Sequence, residues 1–355
     1  MKAAGLVARW RNRVAIIIAI LFFIGWGFYP RESKLSRESF MMDTIIRLDI
    51  YSKNKNQATE TINAALALMN QLDKEASRHN SLSETGVSFL NRSAGENEII
   101  LSEELFFLLG ETERIAAKTE GAFHPGLGKL LDLWKEAESE GKLPADSKLR
   151  AALERIEEAE LILKRGSRAA YITEKSFQID LGGSAKGYIT DRAAELLRSS
   201  GIKKALLDVG GNIVVIGRPA KDRLWRIGIV DPLNPGEILG HVEISDKAVV
   251  TAGVYQRYFL IEEEKYHHIL DPQTGYPADG SLSATVVSSS GFEADILSTA
   301  LVILGPERGL EMLKNNFPAT PALLATEDGR LYLNAEMREI FYQNEKSRWS
   351  YADPH

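Results

Sequence analysis

The stretch Ile179-Asp180-Leu181-Gly182-Gly183-Ser184-Ala185-Lys186-Gly187-Tyr188 joins the end of an apolar segment to the start of a helix through two glycines. Glycine allows backbone groups to approach a ligand closely. A helix N-terminus offers free N–H groups to an anion, and Lys186 adds a positive charge. The stretch therefore indicates an anion-binding turn, although its spacing matches neither a Walker loop nor a dinucleotide fingerprint. A tight strand-to-helix turn with a solvated lysine is the alternative.

Strand and helix patterns alternate on both sides of this turn. Ile46, Leu48 and Ile50 recur at every second residue, which predicts a half-buried strand, and the following residues have helical spacing. Further strands are predicted at Ala205–Gly217, Leu224–Val230, Leu239–Ser245, Tyr258–Glu262, Tyr266–Leu270 and Ser283–Ser288. Further helices are predicted at Asp146–Glu160, Ala185–Ser200 and Glu293–Leu304, the last two closed by Gly201 and Gly305. The prediction is an α+β fold, with mixed sheets and packed helices in a single large domain.

The composition excludes several classes of protein. Of the 355 residues, 44% are hydrophobic and 26% are charged, which argues against extensive disorder and against a polytopic membrane protein. A net charge of −6 provides no basic field for a phosphate backbone, so we expect no nucleic-acid partner. The chain has no cysteine, which excludes disulfides, thiolate metal sites and a cysteine nucleophile.

The N-terminus predicts a membrane anchor. Lys2, Arg9, Arg11 and Arg13 precede an uncharged apolar run, Val14–Tyr29, whose length lies between a signal-peptide core and a full span of about 20 residues. Basic residues before such a run favour a cytoplasmic N-terminus. We expect an uncleaved single-pass anchor in a bacterial inner membrane, with the rest of the chain on the periplasmic or extracellular side. A cleaved signal and an apolar core segment are the alternatives.

These boundaries divide the chain into five parts. They are a cytoplasmic basic tail (1–13), the transmembrane anchor or signal segment (14–30), a linker (31–38), the main domain (39–345) and a C-terminal tail (346–355).

Two neighbouring histidines precede a turn. His267 and His268 lie in a predicted strand, so their side chains should point to opposite faces. The turn is predicted at Asp271 and Pro272. A structural role and a catalytic role are both open for each histidine.

A carboxylate and a hydroxyl share one helical face further along. Asp295 and Thr299 are four residues apart in an otherwise apolar helix. A carboxylate in such a setting needs a partner, and a hard cation such as Mg²⁺ binds carboxylate, hydroxyl, carbonyl and phosphate oxygens. A helix-capping aspartate with a back-bonded threonine is the alternative.

Taken together, these motifs resemble the family of FAD:protein FMN transferases. The resemblance runs from about Met41 to about Gly309. Its matching pieces are Met41-Met42-Asp43-Thr44, Glu75-Ala76-Ser77, Gly121-Ala122-Phe123, Asp180 to Tyr188 with Asp191, Gly210-Gly211, His268 to Pro272, and Ala294-Asp295 with Thr299-Ala300.

The resemblance implies a Mg²⁺-dependent reaction. Members of the family cleave the pyrophosphate of FAD and transfer FMN to a threonine or serine hydroxyl of an acceptor flavoprotein subunit or FMN-binding domain, with release of AMP. The implied metal ligands are the Gly183 carbonyl and the side chains of Asp295 and Thr299. The implied flavin-nucleotide contacts are Met42, His79, Ala122, Phe123, His124, Asp180, Lys186 and Ile269. Residues 39–345 would then form the flavin transferase domain.

The reaction also needs a general base near the acceptor hydroxyl. His268 is our candidate, because a neutral imidazole near pH 7 suits that task, and Asp271 is the second choice. We expect the rate to rise across a histidine-like pKa of about 6.5.

The chain also departs from the family pattern. The family usually has other residues at Asp43, His79, His124, Gly126, Ala252 and Val254. The rival interpretations are an FAD pyrophosphate hydrolase, which gives FMN and AMP with water as the acceptor, and a weakened flavin-binding protein. A purely structural membrane-anchored protein is a third.

Overall fold

The computed structural model describes residues 32–80 and 83–352. The predicted basic tail and anchor lie outside these residues. Within the described part of the chain, no helix combines the length and the apolar character needed to cross a membrane.

A nine-stranded sheet forms the centre of the molecule. Its neighbouring strands are antiparallel, except for the last pair, which is parallel. In spatial order the strands are β1 (Ser33–Met41), β2 (Thr44–Ser52), β6 (Ala205–Val209), β7 (Asn212–Ile216), β10 (Ala248–Gly253), β13 (Ser283–Ser288), β14 (Ala322–Ala325), β15 (Arg330–Leu333) and β17 (Ser350–Tyr351).

Helices cover one face of this sheet. Ile46, Leu48 and Ile50 point into that layer and are fully buried, as their alternation predicted. The described helices are α1 (Lys55–Ala76), α2 (Gly86–Arg92), α3 (Glu103–Ala116), α4 (Gly128–Glu140), α5 (Asp146–Glu158), α6 (Ala185–Ser199), α7 (Gly291–Asn316) and α8 (Ala335–Arg338). Helices α6 and α7 pack against each other and against the middle strands of the sheet, including β7, β10 and β13.

A second apolar core fills the opposite face. Val215, Val249 and Val287 of the large sheet pack against Trp225 and Val242 of a three-stranded sheet. That sheet consists of β8 (Trp225–Asp231), β9 (Asn234–Ile244) and β16 (Phe341–Gln343). Two small sheets complete the described fold: β3 (Ile99–Ile100), β5 (Ala169–Ile172) and β4 (Leu161–Lys164) in one, and β11 (Tyr258–Ile261) with β12 (Glu264–His267) in the other.

The α+β prediction is confirmed, but both predicted domain boundaries differ from the structure. The predicted linker, 31–38, contributes Ser33 to Glu38 to β1, which pairs with β2 along its whole length. The predicted tail, 346–355, contains β17 and the buried Trp349. Strand β1 was missed in the sequence because an edge strand with mostly exposed polar side chains shows little hydrophobic alternation.

Helix α7 also continues past its predicted end. Gly305 has non-helical backbone angles, φ 72° and ψ −178°, but the helix resumes directly after it and ends at Asn316. Pro306 suits the first turn of the resumed helix, because proline has a fixed φ and needs no N–H acceptor there. The glycine therefore marks a kink and not a terminus.

Candidate active site

The glycine pair folds into a closed turn in front of α6. Asp180 Oδ1 accepts a hydrogen bond from Gly182 N at 2.8 Å, and Lys186 Nζ donates to Gly182 O at 2.9 Å. Helix α6 begins at Ala185, as predicted. The Lys186 ammonium group therefore lies over the turn that precedes α6.

Arg78 fixes Asp180 from the other side. Its Nε donates to Asp180 Oδ2 at 2.6 Å, and its Nη1 donates to Asp132 Oδ1 at 2.8 Å. The arginine side chain is only 8% exposed, so this ion pair is well shielded from solvent. Arg78 was not singled out from the sequence, because its partners lie far away along the chain and it has no local motif.

The three predicted metal ligands lie close together. Asp295 is buried, and its Oδ2 accepts a hydrogen bond from Gly187 N at 2.9 Å. Thr299 Oγ1 donates to Asp295 O at 3.2 Å, which leaves its lone pairs free for another partner. A Cβ placed on Gly183 would lie 3.8 Å from Thr299 Oγ1 and 2.8 Å from the Phe123 ring. A side chain at position 183 would fill the space between these groups.

This donor set fits a hard cation. It offers a carboxylate, a hydroxyl and a backbone carbonyl, which are the oxygen ligands that Mg²⁺ accepts. Asp295 Oδ2 is bonded to a backbone N–H, which carries no formal charge. Within the described residues, no group of three or more histidine, aspartate or glutamate side chains is placed to hold a metal ion.

Asp191 holds α7 in place at this site. Its carboxylate accepts hydrogen bonds from Gly291 N at 2.9 Å, Phe292 N at 3.0 Å and Ser290 Oγ at 2.9 Å. Burial raises the pKa of this carboxyl group, while the three hydrogen bonds oppose that shift. Asp191 therefore ties α6 to the first turn of the helix that carries Asp295.

The two histidines have different surroundings, but the difference does not come from opposite faces of one strand. Strand β12 ends at His267, so His268 already lies beyond it. His267 Nδ1 accepts from Ile269 N at 3.3 Å, and its Nε2 lies 2.8 Å from Ala278 O, which makes Nε2 the protonated nitrogen. Both ring nitrogens of His267 are engaged within the fold.

His268 keeps one nitrogen available. Its Nδ1 lies 3.1 Å from Arg257 O, and since a carbonyl only accepts, Nδ1 carries the proton and Nε2 has a free lone pair. Burial lowers the pKa of His268 to about 4, helped by the charges of Arg257, His267 and Lys186 and opposed by the hydrogen bond to Arg257 O. His268 is therefore neutral at pH 7, and Nε2 is its free acceptor atom, but a pKa this low makes the ring a weaker base than a free histidine.

Asp271, the second-choice base, lies in the predicted turn. Its Oδ1 accepts from Gln273 N at 2.8 Å, and its backbone N–H donates to Tyr276 O at 2.8 Å. These contacts build the predicted turn after the buried Ile269. The carboxylate is thus already bound to backbone within that turn.

The hairpin that carries Met42 closes on the same region. Met42 and Asp43 have φ of 53° and 55°, which is typical of a two-residue type I′ turn between β1 and β2. Arg257 Nη2 donates to Asp43 O at 3.0 Å. A Cβ on Gly210 would lie 2.4 Å from Thr44 Oγ1, so glycine is required at that close approach.

The loop after α3 contributes the remaining predicted contacts. Ala122 and Phe123 are buried, and the Phe123 ring lies against Gly183. His124 Nδ1 accepts from Gly126 N at 2.9 Å, and the ring meets Phe177 edge-on at 6.3 Å between centroids. Burial lowers the pKa of His124.

The departures at positions 124 and 126 are coupled. A Cβ on Gly126 would lie 2.2 Å from the Phe177 ring and 2.9 Å from His124 Cε1. Glycine at 126 therefore makes room for the histidine. His79, in contrast, is exposed, and its backbone N–H donates to Ser77 Oγ at 3.3 Å.

The structure brings most of the predicted residues into two adjoining groups. One consists of Phe123, Asp180, Gly183, Lys186, Asp295 and Thr299. The other consists of Met42, His268 and Ile269, joined through Arg257. The charge of Lys186 makes a small contribution to lowering the pKa of His268. His79 is not tied to either group by its described contacts.

A separate cleft of about 540 Å³ opens between α3, α6 and the start of α7. Asp191 lines it, along with several glutamates, but the predicted metal ligands and flavin contacts do not. The grouping of predicted residues, and not cleft size, therefore locates the candidate site.

Comparison with known proteins shows the family of the chain. The sequence model described as the ApbE family matches residues 42–324. An FAD:protein FMN transferase of Treponema pallidum is 31% identical over 343 residues, which cover 91% of this chain and 93% of that protein. One from Klebsiella pneumoniae is 32% identical, over 73% of this chain and 80% of that protein.

Solved structures share the fold. The crystal structure of the ApbE protein from Thermotoga maritima has a TM-score of 0.79 and 27% identity, over 88% of this chain and all of that one. The flavin transferase ApbE from Vibrio cholerae has a TM-score of 0.72 and 25% identity, over 87% of this chain and all of that one.

Proposed function

The chain belongs to the ApbE family and is an FAD:protein FMN transferase, and from this premise we propose a Mg²⁺-dependent transfer to a threonine or serine hydroxyl of an acceptor flavoprotein, with AMP released. The observation that carries the proposal is the hydrogen bond from Gly187 N to Asp295 Oδ2. It places the anion-binding turn directly against the carboxylate of the candidate metal site.

The pyrophosphate of FAD would lie between these two elements. Lys186 and the N-terminus of α6 attract its negative charge. Mg²⁺, held by the Gly183 carbonyl and the side chains of Asp295 and Thr299, would neutralise charge on the phosphates during transfer.

His268 would take the proton of the acceptor hydroxyl. The hydroxyl oxygen attacks the phosphorus on the FMN side and forms a new O–P bond. The bond from that phosphorus to the bridging oxygen breaks, and its electron pair leaves with AMP. Nε2 of His268 receives the proton, because Nδ1 is already protonated and bound to Arg257 O.

FAD hydrolysis is the second candidate function. Because the His268 ring is solvent-accessible, a water molecule could reach Nε2 when no acceptor is bound. The products would then be free FMN and AMP.

One experiment separates these functions. The full chain is incubated with FAD, Mg²⁺ and a candidate acceptor flavoprotein, and the acceptor is weighed by mass spectrometry while AMP and FMN are quantified. Transfer predicts an FMN-labelled acceptor and one AMP for each label. AMP with free FMN and an unlabelled acceptor would support hydrolysis, and tight FAD binding without AMP would support a weakened flavin-binding protein.

We also propose that residues 14–30 anchor the protein in a bacterial inner membrane, with the transferase domain outside. The basic residues before this uncharged run support that orientation. A reporter fused after His355 should be active only if it is of a type that works outside the cytoplasm. Activity of a cytoplasm-only reporter at that position would refute the topology.

A further inference from the structure

Arg257 contacts both parts of the second group of site residues, the Met42–Asp43 turn and His268. Its guanidinium donates through Nη2 to Asp43 O at 3.0 Å, in the turn that carries Met42. Its backbone carbonyl accepts from His268 N at 3.3 Å and lies 3.1 Å from His268 Nδ1. One residue therefore contacts both the turn and the histidine.

Both contacts bear on geometry that the proposed reaction needs. The turn contains two non-glycine residues at positive φ, a conformation that L-residues seldom adopt and that depends on support from its surroundings. The ring of His268 is held by the contact of its Nδ1 with Arg257 O at 3.1 Å. The carbonyl contact fixes the tautomer in which Nε2 is the acceptor.

We propose that Arg257 is a positioning residue that latches the Met42–Asp43 turn to the loop holding His268. This inference rests on the proposed function, because it assigns the latch the task of setting the flavin nucleotide against the general base. Arg257 itself need not touch the reacting atoms. Its side chain acts through Asp43 O, and its carbonyl acts through the ring of His268.

The charge of Arg257 provides a second measurable effect. The charged or titratable groups that act on His268 are Arg257, His267 and Lys186, and all three favour the neutral ring alongside the larger effect of burial. Removal of the arginine charge should therefore raise the pKa of His268. A lysine at the same position should preserve both the charge and a donor for Asp43 O.

Kinetics of the full chain test the latch first. Arg257→Met should raise the KM for FAD and lower kcat, together by roughly tenfold or more, the usual value of a hydrogen bond to a charged group. The acid limb of its pH–rate profile should move to higher pH. Arg257→Lys should recover most of the parent rate and keep the acid limb at the pH of the parent. Arg226→Met is the matched control, because Arg226 is also exposed and bonds Glu243 at 2.7 Å, but in the second sheet.

A distance measurement tests the latch without relying on activity. The chain has no cysteine, so Ile45→Cys and Leu260→Cys supply the sole labelling sites, at residues that are 66% and 58% exposed. Paired spin labels should give a narrow distance distribution in the parent and with Arg257→Lys, and a broad or shifted one with Arg257→Met. An unchanged distribution with Arg257→Met, or an equal effect of Arg226→Met, would overturn the proposal. If the parent transfers no FMN, the proposed function fails while these distances still decide whether the latch exists.

Discussion

At the scale of single residues, the neighbouring histidines differ in which nitrogen remains available. His267 uses both ring nitrogens to hold the chain between β12 and Ala278, whereas His268 uses one and leaves Nε2 open. Hydrogen-bond partners, and not alternation along a strand, therefore separate their roles.

The pKa of His268 changes the expected pH dependence. Since that pKa is lowered to about 4, the ring is neutral from about pH 5.5 to 8.5, and single-turnover FMN transfer should show no histidine limb near 6.5. The rate should fall only as the ring becomes protonated towards pH 4. The rise of the rate is therefore predicted at a lower pH than the value of about 6.5 expected from a free histidine.

Substitution separates the two histidines. His268→Ala should retain FAD binding and lose roughly 10²–10⁴-fold in transfer, the usual contribution of general acid–base catalysis. His267→Ala should lower stability more than turnover, because it removes two contacts within the fold. A larger loss of turnover in the His267 variant, measured in the same single-turnover assay, would assign the base elsewhere.

Asp295 gives the prediction for the metal. Asp295→Asn keeps an acceptor for Gly187 N but removes the charge, so it should fold normally, bind Mg²⁺ weakly and release AMP more slowly by orders of magnitude. Calorimetric Mg²⁺ titration and AMP quantification check this.

Thr299 provides the graded comparison. Thr299→Ser keeps the hydroxyl and should remain close to the parent, while Thr299→Ala loses a neutral ligand and should fall between the parent and Asp295→Asn. Near-normal AMP release by Asp295→Asn in excess Mg²⁺ would rule out the assigned metal site.

At the scale of elements, the crossing of α6 and α7 shapes the site. A Cβ on Gly187 would lie 2.3 Å from Gly291 O and 2.8 Å from Asp295 Cβ. The two helices approach this closely only because both contact positions are glycine. The hydrogen bond from Gly187 N to Asp295 depends on that approach.

Gly187→Ala should therefore destabilise the fold strongly, although it adds a single methyl group. Overpacking of a filled contact usually costs about 1–3 kcal/mol of unfolding free energy, and the displaced α7 should also reduce Mg²⁺ affinity. Gly166→Ala is the control, since a Cβ there meets nothing within 4 Å and its φ is not positive. Urea unfolding of both variants checks the difference, and equal stability of the two would refute the close crossing.

Periodicity predicted the elements whose faces differ in burial. Strand β13 matches its predicted bounds, Ser283–Ser288, and the predicted strand at Ala205–Gly217 resolves into the β6–β7 hairpin around its glycine pair. Strand β1 was missed because an exposed edge strand needs no apolar face. The kink at Gly305 was mistaken for an end because local signals do not show whether a helix resumes.

The site residues also divide into those that short motifs predicted and those that they did not. Residues in short motifs, such as Lys186 and Asp295, were predicted and come together in the fold. Arg78 and Arg257 were missed, because their partners, Asp180 and Asp43, lie far from them along the chain. Long-range pairing of this kind leaves no periodic or motif signal in one sequence.

At the scale of the whole molecule, residues 349 to 352 belong to the fold. Strand β17 adds to the large sheet beside β15, and Trp349 is 4% exposed within the second core. Its Nε1 has no hydrogen-bond partner in the described structure. The tryptophan therefore contributes through packing and not through its N–H.

Two substitutions of Trp349 should separate these contributions. Trp349→Ala should lower the free energy of unfolding by about 3–5 kcal/mol, the usual loss for a buried aromatic side chain. Trp349→Phe keeps an aromatic ring, removes the unpartnered donor and leaves a smaller cavity than alanine, so it should cost clearly less than Trp349→Ala. Chemical unfolding measures both, and a small effect of alanine would show that the C-terminal residues are dispensable for the fold.

The pairing of β2 with β6 also constrains how the protein folds. The partner strands are separated along the chain by residues 53 to 204, so the first two strands cannot complete their place in the sheet until most of the domain has been synthesised. Contacts between such distant segments slow folding, because a long loop must close before the contact can form. During that interval β2 presents an unpaired edge, and Phe40 and Ile45 lie exposed near the tip of its hairpin even in the finished fold. The nascent chain should therefore be most prone to aggregation before residue 209 emerges, and should benefit from a holding chaperone up to that point.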